Sequence, residues 1–128
     1  MTTALRIALV QMNIVAGDPE ANFEKMIAGL EEAATANPKP DLIVLPEMWN
    51  TGYALDRIQS IADPNGERTK AAISALCRKH GVSVHAGSIA RLNATGVSNT
   101  TYIFDAQGEE IGQYSKIHLF QLMNEHLH

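Results

Sequence analysis

Two short apolar runs, Leu5 to Val10 and Asp41 to Leu45, bracket a stretch with the period of an amphipathic helix, and this alternation constrains the fold most. The helix opens at Asp18-Pro19, an N-cap followed by proline at the first helical position. Phe23, Met26, Ile27 and Leu30 then recur at i, i+3, i+4 and i+7. Asn37-Pro38 closes it, because proline lacks an amide hydrogen and restricts the residue before it. The flanking runs are short and carry no helical punctuation, so both are expected as buried strands.

The same alternation continues along the chain. A second helix is expected between about Asn65 and His80, where Ile73, Leu76 and Cys77 share a face and Gly81 stands at the C-cap position. Val82 to Ile89 reads as a third strand. Asn99 to Phe104 and Glu110 to Tyr114 flank the turn-rich Asp105-Ala106-Gln107-Gly108 and so predict a hairpin. The order β-α-β-α-β-β-β predicts α/β layers with a mixed sheet. No repeat, low-complexity tract or linker divides the 128 residues, so a single domain is expected. After Lys116 apolar residues keep arriving through "IHLFQLMNEHLH" without a terminating turn, and the domain is expected to be interrupted there.

Composition excludes several classes of function. With 45% hydrophobic and 19% charged residues, and no apolar run near the roughly 18 residues of a membrane span, the chain is expected to be neither disordered nor membrane-embedded. The N-terminus shows no basic region leading into an apolar segment, which predicts a cytoplasmic protein. Ten basic against fourteen acidic residues, and no basic run longer than Arg78-Lys79-His80, argue against nucleic acid as a partner. The lone Cys77 excludes an internal disulfide and any multi-cysteine zinc site within the chain. His118, His126 and His128 lack a His-Glu-x-x-His pattern and a clear third ligand, so no metal is expected. Asn93-Ala94-Thr95 and Asn99-Thr100-Thr101 match glycosylation sequons, which matter only in a secreted protein, and are read as chance.

Two charged residues stand where chemistry is commonly done. Glu47, in "LPEMWNTGY", follows the second strand, and ligands of open α/β sheets tend to bind beyond the carboxyl ends of strands. Its plain alternative is a turn-capping or surface-paired carboxylate. Lys116, in "YSKIHLF", follows the last predicted strand amid apolar neighbours. A lysine drawn into a pocket needs a carboxylate, which Glu47 supplies; otherwise it snorkels into water. Trp49 and Tyr53 follow the glutamate and either line a pocket or simply pack.

These two motifs resemble the glutamate and lysine motifs of the nitrilase, or carbon-nitrogen hydrolase, superfamily. "ALVQMNIVAGDPEANFEKM", "DLIVLPE" and "VSNTTYIFDAQGEEIGQYSKIHLF" occur in that family's usual order and at compatible spacing. The resemblance implies an α-β-β-α sandwich, of which residues 1-128 form about the first half, a single incomplete domain. It implies a Glu-Lys-Cys triad acting on a small-molecule amide or nitrile without cofactor or metal, with Glu47 as general base and Lys116 as oxyanion-stabilising cation. The family's nucleophilic cysteine lies downstream of the lysine, and no cysteine follows Lys116 here. Cys77 precedes it on the apparent core face of a helix and is expected to be a buried structural thiol. "LMNEHLH" resembles the segment with a second active-site glutamate in one amidase subgroup, which makes Glu125 a further catalytic candidate; the alternative is an exposed carboxylate. "PEMWNTGY" and "KIHLFQLMNEHLH" are closer in look to ω-amidases than to nitrilases or carbamoylases. Complete members commonly form homo-oligomers. The alternative class is a truncated, catalytically inactive member or an interaction module, and in either case the chain as given is expected to be inactive.

Overall fold

The computed structural model describes residues 4–116. Within them β1 (Ile7–Leu9), α1 (Pro19–Ala34), β2 (Leu42–Val44), a 3-10 turn (Leu55–Arg57), α2 (Ile58–Ile61) and β3 (Asp63–Pro64) are followed by α3 (Glu67–His80) and four strands. These are β4 (Ser83–His85), β5 (Ile89–Asn93), β6 (Gly96–Phe104) and β7 (Glu110–Ser115). The seven-stranded sheet runs in the order β1-β2-β4-β6-β5-β3, with β7 also paired to β6. β1, β2 and β4 are parallel, whereas β6 is antiparallel to β4, β5 and β7. The predicted mixed α/β sheet is therefore present.

Local chemistry sets the helix ends. The Asp18 carboxylate accepts from the Ala21 amide at 3.1 Å with Pro19 in the first turn, and α1 ends at Ala34, just before Asn37-Pro38. Gly81 takes a left-handed conformation, φ 64°, and its amide closes α3 on the Cys77 carbonyl. Both long helices lie on one face of the sheet. Met26 and Leu30 of α1 and Ile73, Leu76 and Cys77 of α3 share one core with Ile43, Val84, Tyr102 and Phe104.

Strand alternation then places Leu42, Val44, His85, Thr101 and Ile103 on the opposite face. Ala8 of β1 and Val10 just after it pack on the core while Ile7 and Leu9 remain 49% and 74% exposed. The expectation of a buried first strand is thus corrected to an edge strand covered on one face, because both long helices sit on the other side. No helix among the described residues is long and apolar enough to cross a membrane.

The reading of Val82 to Ile89 as one strand also needs correction. β4 and β5 both pair with β6, but the register slips by one residue between His85↔Ile103 and Ile89↔Thr100. The extra residue falls in Ala86-Gly87-Ser88, a bulge in which Gly87 has φ 60°. β5 and β6 join through Ala94-Thr95 in a hairpin that the sequence reading did not include. The Asp105 to Gly108 hairpin is as predicted, with the Asp105 carboxylate accepting from the Gln107 and Glu109 amides.

Candidate active site

Glu47 reaches its position through a sharp reversal beyond β2. The Leu45 amide still bonds the His85 carbonyl at 3.0 Å, and after Pro46 the chain turns at Met48, which has φ 50°. Such a backbone is disfavoured for a side chain as large as methionine and persists only where surroundings enforce it. Here the bulge enforces it: Ser88 Oγ accepts from the Met48 amide at 2.9 Å, and the Ser88 carbonyl accepts from Trp49 N at 3.2 Å. The Ser88 amide bonds back to the Pro46 carbonyl. A bulge that re-aims side chains beside a strand end is a recurrent way of building a site.

The loop after Glu47 is anchored by hydrogen bonds from buried side chains. Asn50 donates through Nδ2 to the Ala90 carbonyl at 3.0 Å and accepts through Oδ1 from the Ala90 amide at 2.9 Å. Asn22, fully buried on α1, donates to the carbonyls of Val15 and Asn50 and accepts from the Val15 amide. Trp49 is fully buried and donates Nε1–H to the Ala86 carbonyl. Of the two aromatic candidates, Trp49 is thus a packing residue, and Tyr53 reaches the glutamate.

Glu47 Oε1 accepts from Tyr53 Oη at 2.8 Å and from Asn99 Nδ2 at 3.3 Å, and it lies 3.7 Å from Lys116 Nζ. Glu47 and Lys116 therefore meet. They line a cleft of about 360 Å³ with Leu45, His85, Gly87, Ser88, Asn99, Thr101 and Tyr114, on the sheet face away from the long helices. The pair is half in water, with side chains 28% exposed for Lys116 and 49% for Glu47. An ion pair so exposed contributes at most about 1 kcal/mol to stability, so a purely structural role explains its construction poorly.

Lys116 is placed by β7. Its amide donates to the Asn99 carbonyl at 2.9 Å, directly beyond the pairing of Thr100 with Ser115. His85 lines the same cleft, with Nδ1 accepting from the Gly87 amide at 3.2 Å.

Cys77 is elsewhere, fully buried in the core under α3. Burial, and secondarily the Asp105 charge, push its thiol up to about 11. A nucleophilic thiol needs the reverse. Glu125, His118, His126 and His128 lie outside the described residues. Among the described residues no group of three or more His, Cys, Asp or Glu side chains is arranged to hold a metal ion.

A carboxylate and an ammonium at 3.7 Å, beside a strand-end cleft on a mixed α/β sheet, are what the glutamate and lysine motifs imply. The model of the carbon-nitrogen hydrolase family matches residues 6–127. The chain belongs to that family.

Among its relatives, the 2-oxoglutaramate amidase of Bacillus subtilis is 39% identical over 122 residues, which are 95% of this chain and 46% of that protein. A CN-hydrolase superfamily protein of Xanthomonas campestris, solved with an arsenic adduct in its active site, superposes with a TM-score of 0.84 at 32% identity. The match covers 98% of this chain and 45% of that one. Saccharomyces cerevisiae Nit3, of branch 10 of the nitrilase superfamily, gives 0.78 at 28% identity, over 89% of this chain and 44% of its own. The chain thus spans a little under half the length of the relatives it matches, over their N-terminal half.

Asn99, His85 and Ser88 line the cleft but are not among the site residues read from the sequence, whereas Tyr53, a candidate pocket residue from its place after the glutamate, contacts Glu47 from outside the lining. In the sequence Asn99 stands out only as part of a chance sequon. The available signal was its place in "VSNTTYIFDAQG", the segment that carries the family resemblance.

Proposed function

We propose that this chain supplies the Glu-Lys part of an amidase site whose complete form hydrolyses the terminal amide of a small carboxylic acid, as an ω-amidase does. The supporting observation is the convergence of Glu47 and Lys116, 3.7 Å apart, from β2 and β7. The similarity to the Bacillus subtilis 2-oxoglutaramate amidase supports the substrate class. On this reading residues 1-128 form one incomplete domain, and a cysteine encoded downstream of Lys116 completes the triad. Complete assemblies are then homo-oligomers, as is common in the family.

The chemistry runs in two halves. Glu47 takes the proton of the cysteine thiol, the thiolate attacks the amide carbon, and the oxygen that gains negative charge is stabilised by the Lys116 ammonium. The tetrahedral adduct collapses to a thioester as ammonia leaves with a proton returned by Glu47. Water, deprotonated by the same carboxylate, then attacks the thioester and releases the acid and the thiol. One base serves both halves, and no metal or organic cofactor enters. We assign Glu125 as a second active-site carboxylate; in the complete enzyme Glu125→Gln is expected to lower kcat at least tenfold, an order typical of losing a group used in the transition state.

The test is an amide and nitrile panel with the complete gene product. Turnover of 2-oxo ω-amides with ammonia release is expected. Activity confined to nitriles overturns the amidase assignment, and a reading frame that stops at His128 favours the non-catalytic alternative.

A further inference from the structure

Three donors meet one oxygen of Glu47: Tyr53 Oη at 2.8 Å, Asn99 Nδ2 at 3.3 Å and Lys116 Nζ at 3.7 Å all approach Oε1. A carboxylate offers about four lone-pair sites over its two oxygens. The convergence occupies Oε1 and leaves Oε2 outside all three contacts. We infer that Tyr53 and Asn99 are positioning residues that pin Oε1, so that the proton-accepting atom of the candidate base is Oε2. This rests on the reading of Glu47 as the general base.

The two neutral donors come from separately anchored elements. Tyr53 ends the loop that Glu47 begins, and that loop is fastened by the paired hydrogen bonds between Asn50 and Ala90. Asn99 is only 7% exposed and sits in β6 opposite Ala90. Its side chain holds Glu47 while its backbone carbonyl accepts from the Lys116 amide at 2.9 Å, so one residue ties the candidate base to the candidate cation. Next to it a hydroxyl chain, Ser98 to Thr100 at 2.7 Å and Thr100 to Ser115 at 2.9 Å, locks β6 to β7 just before Lys116.

The physical benefit is loss of freedom in the right place. The last torsion of a glutamate is broad, so an untethered carboxylate samples many orientations. Holding Oε1 from two sides narrows that torsion and presents the lone pairs of Oε2 in one direction. A general base works fastest when its orientation is set before the proton moves. Donors that served only folding would have no reason to select the same oxygen.

The test uses steady-state kinetics on an ω-amide with the complete enzyme, comparing Tyr53→Phe, Asn99→Leu and the double variant with Glu47→Gln. Each single variant is expected to lower kcat about tenfold with KM within about twofold, and the double to approach Glu47→Gln, since lost orientation acts on the chemical step. Tyr53→Phe removes one hydroxyl from a partly exposed ring and is expected to keep the wild-type Tm. If Asn99→Leu loses its cooperative melt, Tyr53→Phe alone decides. Wild-type kcat in Tyr53→Phe beside an inactive Glu47→Gln overturns the positioning role only. A raised KM at unchanged kcat reassigns Tyr53 to substrate binding and also overturns it. Full activity in Glu47→Gln overturns the base assignment itself.

Discussion

Gly87 lies so close to Pro46 that a Cβ built on it would stand 2.0 Å from the Pro46 carbonyl oxygen. With φ 60° as well, the position excludes a side chain on both steric and conformational grounds. This close approach lets the β4–β5 bulge grip the turn that carries Glu47. Gly87→Ala is expected to destabilise the fold by about 2–4 kcal/mol, combining overpacking with a left-handed non-glycine residue. Urea denaturation would measure it, and a loss below about 0.5 kcal/mol would show that the turn can move away at little cost.

The pairing of Asn50 with Ala90 leads to a second expectation. Ala90 is fully buried, and its amide and carbonyl both bond to the Asn50 side chain. Asn50→Leu strands both groups away from water at about 1–3 kcal/mol each, so a loss of about 2–6 kcal/mol is expected. Because the same loop carries Glu47 and Tyr53, the Tyr53 ring resonances should shift in parallel in NMR spectra of a mildly destabilised variant such as Asn50→Ser. Unchanged resonances would show that the glutamate end of the loop holds itself in place.

Glu47 and Lys116 are legible in the sequence because each follows a strand-like run, and family motifs surround both. Their neighbours are not. Asn99 lies within a strand, where an asparagine has no periodic signature, and its partner Glu47 is 52 residues away. The Ala94-Thr95 turn lacks the Asn-Gly or Asp-Gly signal of a two-residue hairpin, so the start of β6 at Gly96 went unread. Gly87 does signal a bulge, but an apolar run on either side masks it. Leu55 to Ile61 is too short for helical periodicity to emerge, and the two residues of β3 owe their pairing to β5 rather than to propensity.

Cys77 gives the fold a pH dependence on the alkaline side. Its thiol is held up to about 11 against an ordinary 9.0, chiefly by burial, so the folded chain keeps a proton that the unfolded chain gives up. The stabilisation is whole below about pH 9 and is lost as pH rises through about 11. It amounts to roughly 2–3 kcal/mol. Cys77→Ala is expected to flatten this part of the stability profile while creating a small cavity, and native Cys77 should resist thiol reagents at pH 8. Rapid modification of the folded chain at that pH would contradict its burial.

The sheet face opposite the long helices makes a further measurement informative. Ile7, Leu9 and Tyr114 are exposed at 49%, 74% and 58%. Together with β1, which lies at the sheet edge among the described residues, they offer both apolar surface and backbone groups open to pairing. The isolated 128-residue polypeptide is expected to self-associate at micromolar concentration, and Leu9→Lys to reduce that tendency by placing a charge on the edge. Sedimentation velocity tests this, and a monomer independent of concentration would contradict it.

The 128-residue polypeptide is also expected not to hydrolyse amides or nitriles at an enzymatic rate, even though Glu47 and Lys116 are already together. Its single thiol, Cys77, is fully buried, and its proton is harder to remove than that of a free cysteine. On the proposed reading of Glu47 as the base, it then has only water to activate. Loss of the nucleophile from a cooperating triad typically costs several orders of magnitude. Lys116 can stabilise charge on an oxygen, but without an attacking thiolate little charge develops there. The measurement is ammonia release from glutaramate-type and simple aliphatic amides by the purified chain, beside Cys77→Ala and Glu47→Gln. Rates at the buffer background are expected for all three. Robust turnover abolished by Cys77→Ala would make the thiol under α3 the nucleophile and would overturn the assignment of that role to a cysteine beyond Lys116.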